Sequence, residues 1–134
     1  MTKYMLLTKY GSAGDLKPMT DWKPDEITAH LDFLTAINED LIERGELVAA
    51  QALTGPDQAK LVTSDGVTAP VVTDGPFPEA KELLAGYQLV DVESEARAIE
   101  IAALVSSTPG PGGRPINQTI EVRQVMGGLP GADL

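Results

Sequence analysis

The spacing of apolar residues along the chain predicts two helices and a set of short strands. Four consecutive apolar residues, Tyr4-Met5-Leu6-Leu7, are typical of a strand that is covered on both faces. Pro24 suits the first turn of a helix, and Gly45 is placed to end it. Between them, apolar residues recur at steps of three and four, which gives the helix one apolar stripe: Ile27, Leu31, Leu34, Ile37 and Leu41.

The remainder of the chain predicts further strands and a second helix. Strands are expected at residues 3–8, 46–53, 86–92 and 119–125, and the second helix at 94–105, where Ser94 is the candidate N-cap. Residues 59–63 and 67–73 flank Ser64-Asp65-Gly66, and the Asp-Gly pair is a strong signal for a hairpin. The Pro- and Gly-rich residues 106–115 are interpreted as a linking loop.

The order of these elements is strand-helix-strand, hairpin, strand-helix-strand. That order predicts an α+β fold, a ferredoxin-like split βαβ sandwich with an inserted β-hairpin. We expect one domain over residues 1–126 and a short tail at 127–134. Because two helices cover only one face of the sheet and the other face is mixed in polarity, we expect a homodimer that covers it.

Composition excludes several kinds of site and partner. The chain has no cysteine and one histidine, which excludes disulfides, thiolate sites and multi-histidine metal sites within one chain, and neither metal nor cofactor is expected. A net charge of −10 disfavours direct binding to nucleic acid or to an anionic membrane. The chain lacks an apolar run of about 18 residues and a signal-type start, so we expect a cytoplasmic protein without membrane segments.

A run of nine residues is long and unusual enough to be compared with a family signature. The run Asp74-Gly75-Pro76-Phe77-Pro78-Glu79-Ala80-Lys81-Glu82, followed by Gly86-Tyr87 and Asp91-Val92, closely resembles the signature of the DGPF proteins, a branch of the YCII-related family. The resemblance extends to the first strand, to His30 with Phe33 on the first helix, and to Ile120-Glu121-Val122-Arg123 near the end. It therefore covers nearly the whole chain.

The resemblance implies a ferredoxin-like fold of the dimeric α/β-barrel type. It also implies a small enzyme or ligand binder in which a helix histidine and an aspartate form an acid/base pair, which makes His30 and Asp74 the catalytic candidates. Proteins similar to the DGPF branch often accompany extracytoplasmic-function sigma factors as neighbours or fused domains, so the resemblance implies a sigma factor as a partner.

Both catalytic candidates also have a purely structural interpretation. His30 lies on the apolar stripe of the first helix and should point toward the sheet, either as a proton carrier or as a core histidine bonded to a backbone carbonyl. Asp74 is a natural first residue of a tight turn, in which Gly75 relaxes the backbone and Pro76 fixes φ. The same turn is compatible with a carboxylate aimed at a cleft that contains His30.

The candidate ligand-binding residues are Arg123, Glu121, Phe77 and Tyr87. Glu121 and Arg123 should share one face of the last strand. Arg123 could bind a carboxylate ligand or a carboxylate of the partner subunit, and a structural ion pair is favoured. Three functions remain open from the sequence. They are a cofactor-free acid/base enzyme for a small organic substrate, a non-catalytic ligand-binding or accessory module associated with a sigma factor, and a dimeric protein that binds a small organic acid.

Overall fold

The computed structural model describes residues 1–10, 19–75 and 83–131, with the side chains of Tyr10 and Leu83 left out. Within these residues the chain forms two helices, six strands and three short 3₁₀ turns. In chain order the helices and strands are β1 (Thr2–Tyr10), α1 (Pro24–Glu43), β2 (Leu47–Ala52), β3 (Lys60–Thr63), β4 (Val71–Asp74), β5 (Leu83–Val92), α2 (Glu95–Ser106) and β6 (Ile120–Gln124).

Four of the strands form one antiparallel sheet in the order β2-β5-β1-β6. Residues of both helices join sheet residues in a single core cluster, so α1 and α2 pack on the same face. This arrangement is the ferredoxin-like α+β fold, as the order of elements in the sequence predicts.

Side chains alternate between the two faces of the sheet along each strand. Leu6 lies opposite Gln88 of β5 and Val122 of β6, and this cross-strand row faces the helices. Leu6 keeps 1% of its surface exposed and Val90 keeps none. Burying a side chain of this size contributes about 1.5–3 kcal/mol, so these rows hold the helices onto the sheet.

The helix ends follow the predicted signals. Pro24 is the first residue of α1, and Gly45, with φ of 73°, comes directly after the C-cap Arg44. A positive φ is readily adopted by glycine, which explains why the helix ends there. At α2, the Ser94 hydroxyl accepts a hydrogen bond from the Arg97 amide at 3.2 Å, which confirms the predicted N-cap.

The inserted hairpin is present as a separate two-stranded sheet, but its second strand begins later than predicted. β4 starts at Val71 rather than at residue 67, so residues 64–70 connect the strands. The reason is that Asp65 Oδ1 accepts hydrogen bonds from the amides of Val67 and Thr68, both at 2.9 Å. Amides held by a nearby carboxylate do not join a strand ladder, and Pro70 has no amide proton to donate.

Candidate functional site

A cavity of about 290 Å³ lies between α1 and the helix-covered face of the sheet. Its lining comes from the inner face of α1, from strands β1, β2 and β5, and from the end of α2 with the segment that follows it. The lining includes His30, Leu34 and Asn38 of α1, Thr8 of β1, Gln88 of β5, and Thr108 after α2. At this volume the cavity fits a small organic molecule rather than a large cofactor.

His30 is half-buried and lines this cavity, pointing toward the sheet as its helical position predicts. Its Nδ1 lies 3.0 Å from the carbonyl oxygen of Pro109. Since a carbonyl only accepts hydrogen bonds, Nδ1 carries the proton and donates it. The indole of Trp22 packs edge-to-face against the imidazole, with ring centroids 5.2 Å apart, so the ring is held on two sides.

The carbonyl of Pro109 is fixed by the segment that follows α2. Pro109 forms an isolated β-bridge with Pro115, and the amide of Gly110 donates to the Arg114 carbonyl at 2.8 Å. Glu26 of α1 accepts a hydrogen bond from the amide of Gly112 at 2.6 Å. The segment interpreted as a linking loop is therefore folded back and bonded to the start of the helix that carries His30.

Asp74 has a different partner from His30. It ends β4, where its side chain is 81% exposed and its carboxylate pairs with the ammonium group of Lys60. The hydrogen bonds described for the two candidates thus go to Lys60 and to Pro109, and the acid/base pairing of His30 with Asp74 stays a prediction. Phe77 lies outside the described residues.

By strand alternation, the other three ligand-binding candidates lie on the face of the sheet away from the helices, and Tyr87 is also among the residues that line the cavity. Leu7 lies opposite both Glu121 and Tyr87. Because Leu7 follows Leu6, whose side chain faces the helices, the side chain of Leu7 and those of its two cross-strand partners point to the other face. Glu121 Oε1 accepts from Lys9 Nζ at 2.5 Å, and Glu121 Oε2 lies 3.6 Å from Arg123 Nε. Glu121 therefore pairs with Lys9 and lies near Arg123, and the hydrogen bond from Lys9 lowers the pKa of Glu121. Ligand binding by these residues stays a prediction.

Two amide side chains of the cavity were missed from the sequence. Gln88 Nε2 donates to Asn38 Oδ1 at 2.8 Å, and Gln88 is only 7% exposed. Two signals pointed to them. Asn38 falls four residues after Leu34 on the stripe that includes His30, and Gln88 alternates with the fully buried Val90.

The described part of the cavity lining carries no acidic or basic side chain other than His30. No Asp, Glu, Lys or Arg is among the described residues that line the cavity. In the same part of the chain, no cluster of three or more histidine and acidic side chains is placed to hold a metal ion. The described helices also include none that combines the length and apolar character needed to cross a membrane. The described lining therefore offers the chemistry of one imidazole and of neutral hydrogen-bonding groups.

Comparison with known proteins places the chain in a family. The model of the YCII-related domain matches residues 2–127. A protein of Rhizobium meliloti (strain 1021), carrying the name "Uncharacterized protein R00369", is 29% identical over 110 residues, which are 82% of this chain and 84% of that protein. Since the family model spans nearly all of the chain, the protein belongs to the YCII-related domain family.

Proposed function

We propose that the protein binds a small organic molecule in the cavity between α1 and the sheet, and that His30 transfers a proton within it. The reaction would be cofactor-free acid/base chemistry, such as an isomerisation or an elimination. The observation that carries this proposal is the position of His30, which lines the cavity while its Nδ1 is bonded to the Pro109 carbonyl.

The hydrogen bond to Pro109 selects the tautomer of the imidazole. With the proton on Nδ1, the neutral ring has its lone pair on Nε2, which is the nitrogen that a general base uses. Nε2 has no hydrogen-bond partner within the described residues, so it is available to a ligand. When Nε2 accepts a proton, the bond from Nδ1 to the carbonyl stabilises the resulting imidazolium.

The reaction needs only one group that takes and returns a proton. Nε2 removes a proton from a carbon next to a carbonyl of the substrate, and the electron pair of the C–H bond moves into that carbonyl as an enolate. Return of the proton at another carbon completes an isomerisation. In an elimination, the enolate collapses to a C=C bond as a group leaves the next carbon with its bonding electron pair, and the imidazolium gives its proton to that group. General acid/base catalysis of this kind contributes about 10²–10⁴-fold in rate.

We assign the orienting role to Pro109 rather than to Asp74. The family resemblance gives that role to an aspartate, but Asp74 is mostly exposed and pairs with Lys60. The Pro109 carbonyl oxygen accepts a hydrogen bond from His30 Nδ1, with the two atoms 3.0 Å apart. This bond performs the same task, because it fixes the orientation of the ring and its tautomer.

The alternative is a ligand-binding module without catalysis. It uses the same cavity, and the edge-to-face packing of Trp22 on His30 would then serve only to shape the wall. Association with a sigma factor rests on the sequence resemblance alone, and no described surface adds to it.

The experiment combines binding and proton exchange. A panel of small ketones and lactams is added to the labelled protein, and NMR identifies the fragments that shift His30, Leu34 and Asn38. Each fragment that binds is then incubated with the protein in heavy water, and exchange of its C–H protons is followed. We expect exchange with the wild type, loss of about 10²-fold or more in His30→Gln, and retention in Asp74→Asn.

Each other outcome has a definite meaning. Equal exchange in the wild type and His30→Gln contradicts the role of His30, and loss in Asp74→Asn restores the aspartate as its partner. Binding without exchange supports the non-catalytic module. Failure of every fragment to shift the cavity residues contradicts the cavity as the site.

A further inference from the structure

The wall of the cavity contains two hydrogen-bonded amide side chains, Gln88 and Asn38, which the packing of the apolar core does not require. Gln88 stands on the helix-covered face of β5, in a strand whose next inward residues are the fully buried Val90 and Val92. Replacing an apolar residue by an amide at such a position costs free energy unless every polar atom finds a partner. Gln88 nevertheless remains 93% enclosed, since its exposed fraction is 7%.

Only one hydrogen bond joins the side chain of Gln88 to the rest of the described chain. Its Nε2 donates to Asn38 Oδ1, which leaves Gln88 Oε1 as an acceptor and Asn38 Nδ2 as a donor without protein partners among the described residues. In that part of the chain, the one fully enclosed side-chain polar atom without a partner is Asp91 Oδ1. Gln88 Oε1 therefore retains accessible surface, and the cavity that Gln88 lines is the space it meets.

We infer that the cavity recognises a small neutral ligand with a hydrogen-bond donor and an acceptor on neighbouring atoms, such as a carboxamide, a lactam or an imide. The ligand's N–H donates to Gln88 Oε1, and its carbonyl accepts from Asn38 Nδ2. Two antiparallel amide hydrogen bonds of this kind satisfy both side chains at once. The inference rests on the proposed function, because it names the ligand class of the same cavity.

The charge of the lining supports a neutral ligand over an organic acid. No Lys or Arg is among the described residues that line the cavity, so these residues offer a carboxylate no permanent cation, while Gln88 Oε1 would face it. The protein's net charge of −10 also repels anions as they approach. A site with buried polar groups further discriminates against analogues that leave those groups unpaired.

The size of the cavity limits the ligand. The cavity volume of about 290 Å³ is at the lower end of the range of small-molecule pockets, about 300–1,000 Å³. Leu34 and Val105 add apolar side chains to the lining of the same cavity. A ligand with one amide group and a compact apolar body fits this combination.

The test uses three fragments of matched size: benzamide, which carries donor and acceptor; acetophenone, which carries only the acceptor; and benzoate, which is an anion. Dissociation constants are measured by NMR titration of His30, Asn38 and Gln88. We expect benzamide to bind at least about tenfold more tightly than either of the others. Gln88→Met, which keeps the length of the side chain without its amide, should reduce that preference to about twofold or less, while Gln124→Met on the exposed end of β6 leaves it unchanged.

Failure of the inference and failure of the proposed function give different results. If benzoate or acetophenone binds as tightly as benzamide and still shifts His30, the cavity remains the site but the amide recognition is wrong. If Gln88→Met folds and keeps the full preference for benzamide, the amide pair is not its source. If Gln88→Met does not fold, Asn38→Leu supplies the same comparison, and an unchanged preference there overturns the inference. If none of the fragments shifts the cavity residues, the proposed function itself fails.

Discussion

The ion pair between Glu46 and Arg97 is the contact through which the fold is most easily tested. Arg97 of α2 approaches both carboxylate oxygens, with Nη2 at 2.8 Å from Oε1 and Nε at 3.0 Å from Oε2. Glu46 stands between α1 and β2, and its backbone bonds to Leu41 and Asp91. The pair therefore ties α2 to the point where the chain leaves α1 and enters the sheet.

The substitution Arg97→Met removes the guanidinium and keeps much of the side-chain volume. Removing one partner of a buried ion pair costs about 3–5 kcal/mol, and losing one hydrogen bond to a charged group about 1.5–3 kcal/mol. The side chains of Arg97 and Glu46 keep 19% and 12% of their surface exposed, so water screens part of the loss. We expect a decrease of about 2–3 kcal/mol in the free energy of unfolding at neutral pH.

The pH dependence has a definite sign. The hydrogen bond from Arg97 lowers the pKa of Glu46 in the folded protein. The pair's stabilisation is therefore fully present above the pKa of an unfolded glutamate, about 4.3, and is lost as the pH falls through the lower pKa of the folded state. Arg97→Met lacks this contribution. The difference in free energy of unfolding between the wild type and Arg97→Met should therefore become smaller below about pH 4.

Urea denaturation followed by circular dichroism at about pH 7 and about pH 3 measures the difference. Arg44→Met is the matched control. Arg44 pairs with Asp40 at 2.9 Å, but the two side chains are 58% and 52% exposed. Because the pair is exposed, its loss should lower the free energy of unfolding by about 0.5 kcal/mol or less. A cost for Arg97→Met no larger than that of the control, or one that does not change with pH, would refute the reasoning.

Three further predictions concern stability and assembly. Ser94→Ala should cost about 1 kcal/mol in urea denaturation because the Arg97 amide loses its cap, and an unchanged midpoint would argue against capping. Gly86→Ala should cost about 1–3 kcal/mol, since a Cβ there would lie 2.8 Å from the Gln51 carbonyl oxygen; unaltered stability would contradict that close approach. Light scattering should report a homodimer, twice the 14.2 kDa chain, and a concentration-independent monomer would disprove it.

The elements that the sequence predicted well are those set by local chemistry. Pro24, Gly45 and Ser94 mark helix ends because each acts on the backbone next to it, and all three do so in the structure. The order of the elements was sufficient to predict the ferredoxin-like sheet. The hairpin was misjudged in detail because Asp65 bonds to two amides and delays the second strand, which the Asp-Gly pair alone does not reveal.

The candidate site depends on contacts that no local pattern encodes. The direction of His30 could be derived from its helix, but Pro109, 79 residues away, could not be named as its partner. The segment around Pro109 was interpreted as a linker because Pro and Gly are its main residues. Gln88 was likewise recognisable in the sequence as an alternating polar residue. Only the packing of α1 onto the sheet shows that its side chain bonds to Asn38 and that both line the cavity.

The measurement that tests the central claim most directly is the tautomer of His30. Because the chain has a single histidine, long-range proton–nitrogen correlation spectra report on it without ambiguity. At about pH 8.5, where a free imidazole is neutral, we predict a proton on Nδ1 and an unprotonated Nε2 whose signal moves when a cavity ligand binds. A proton on Nε2, or a ring that averages between the tautomers and ignores the ligand, would contradict the role given to His30.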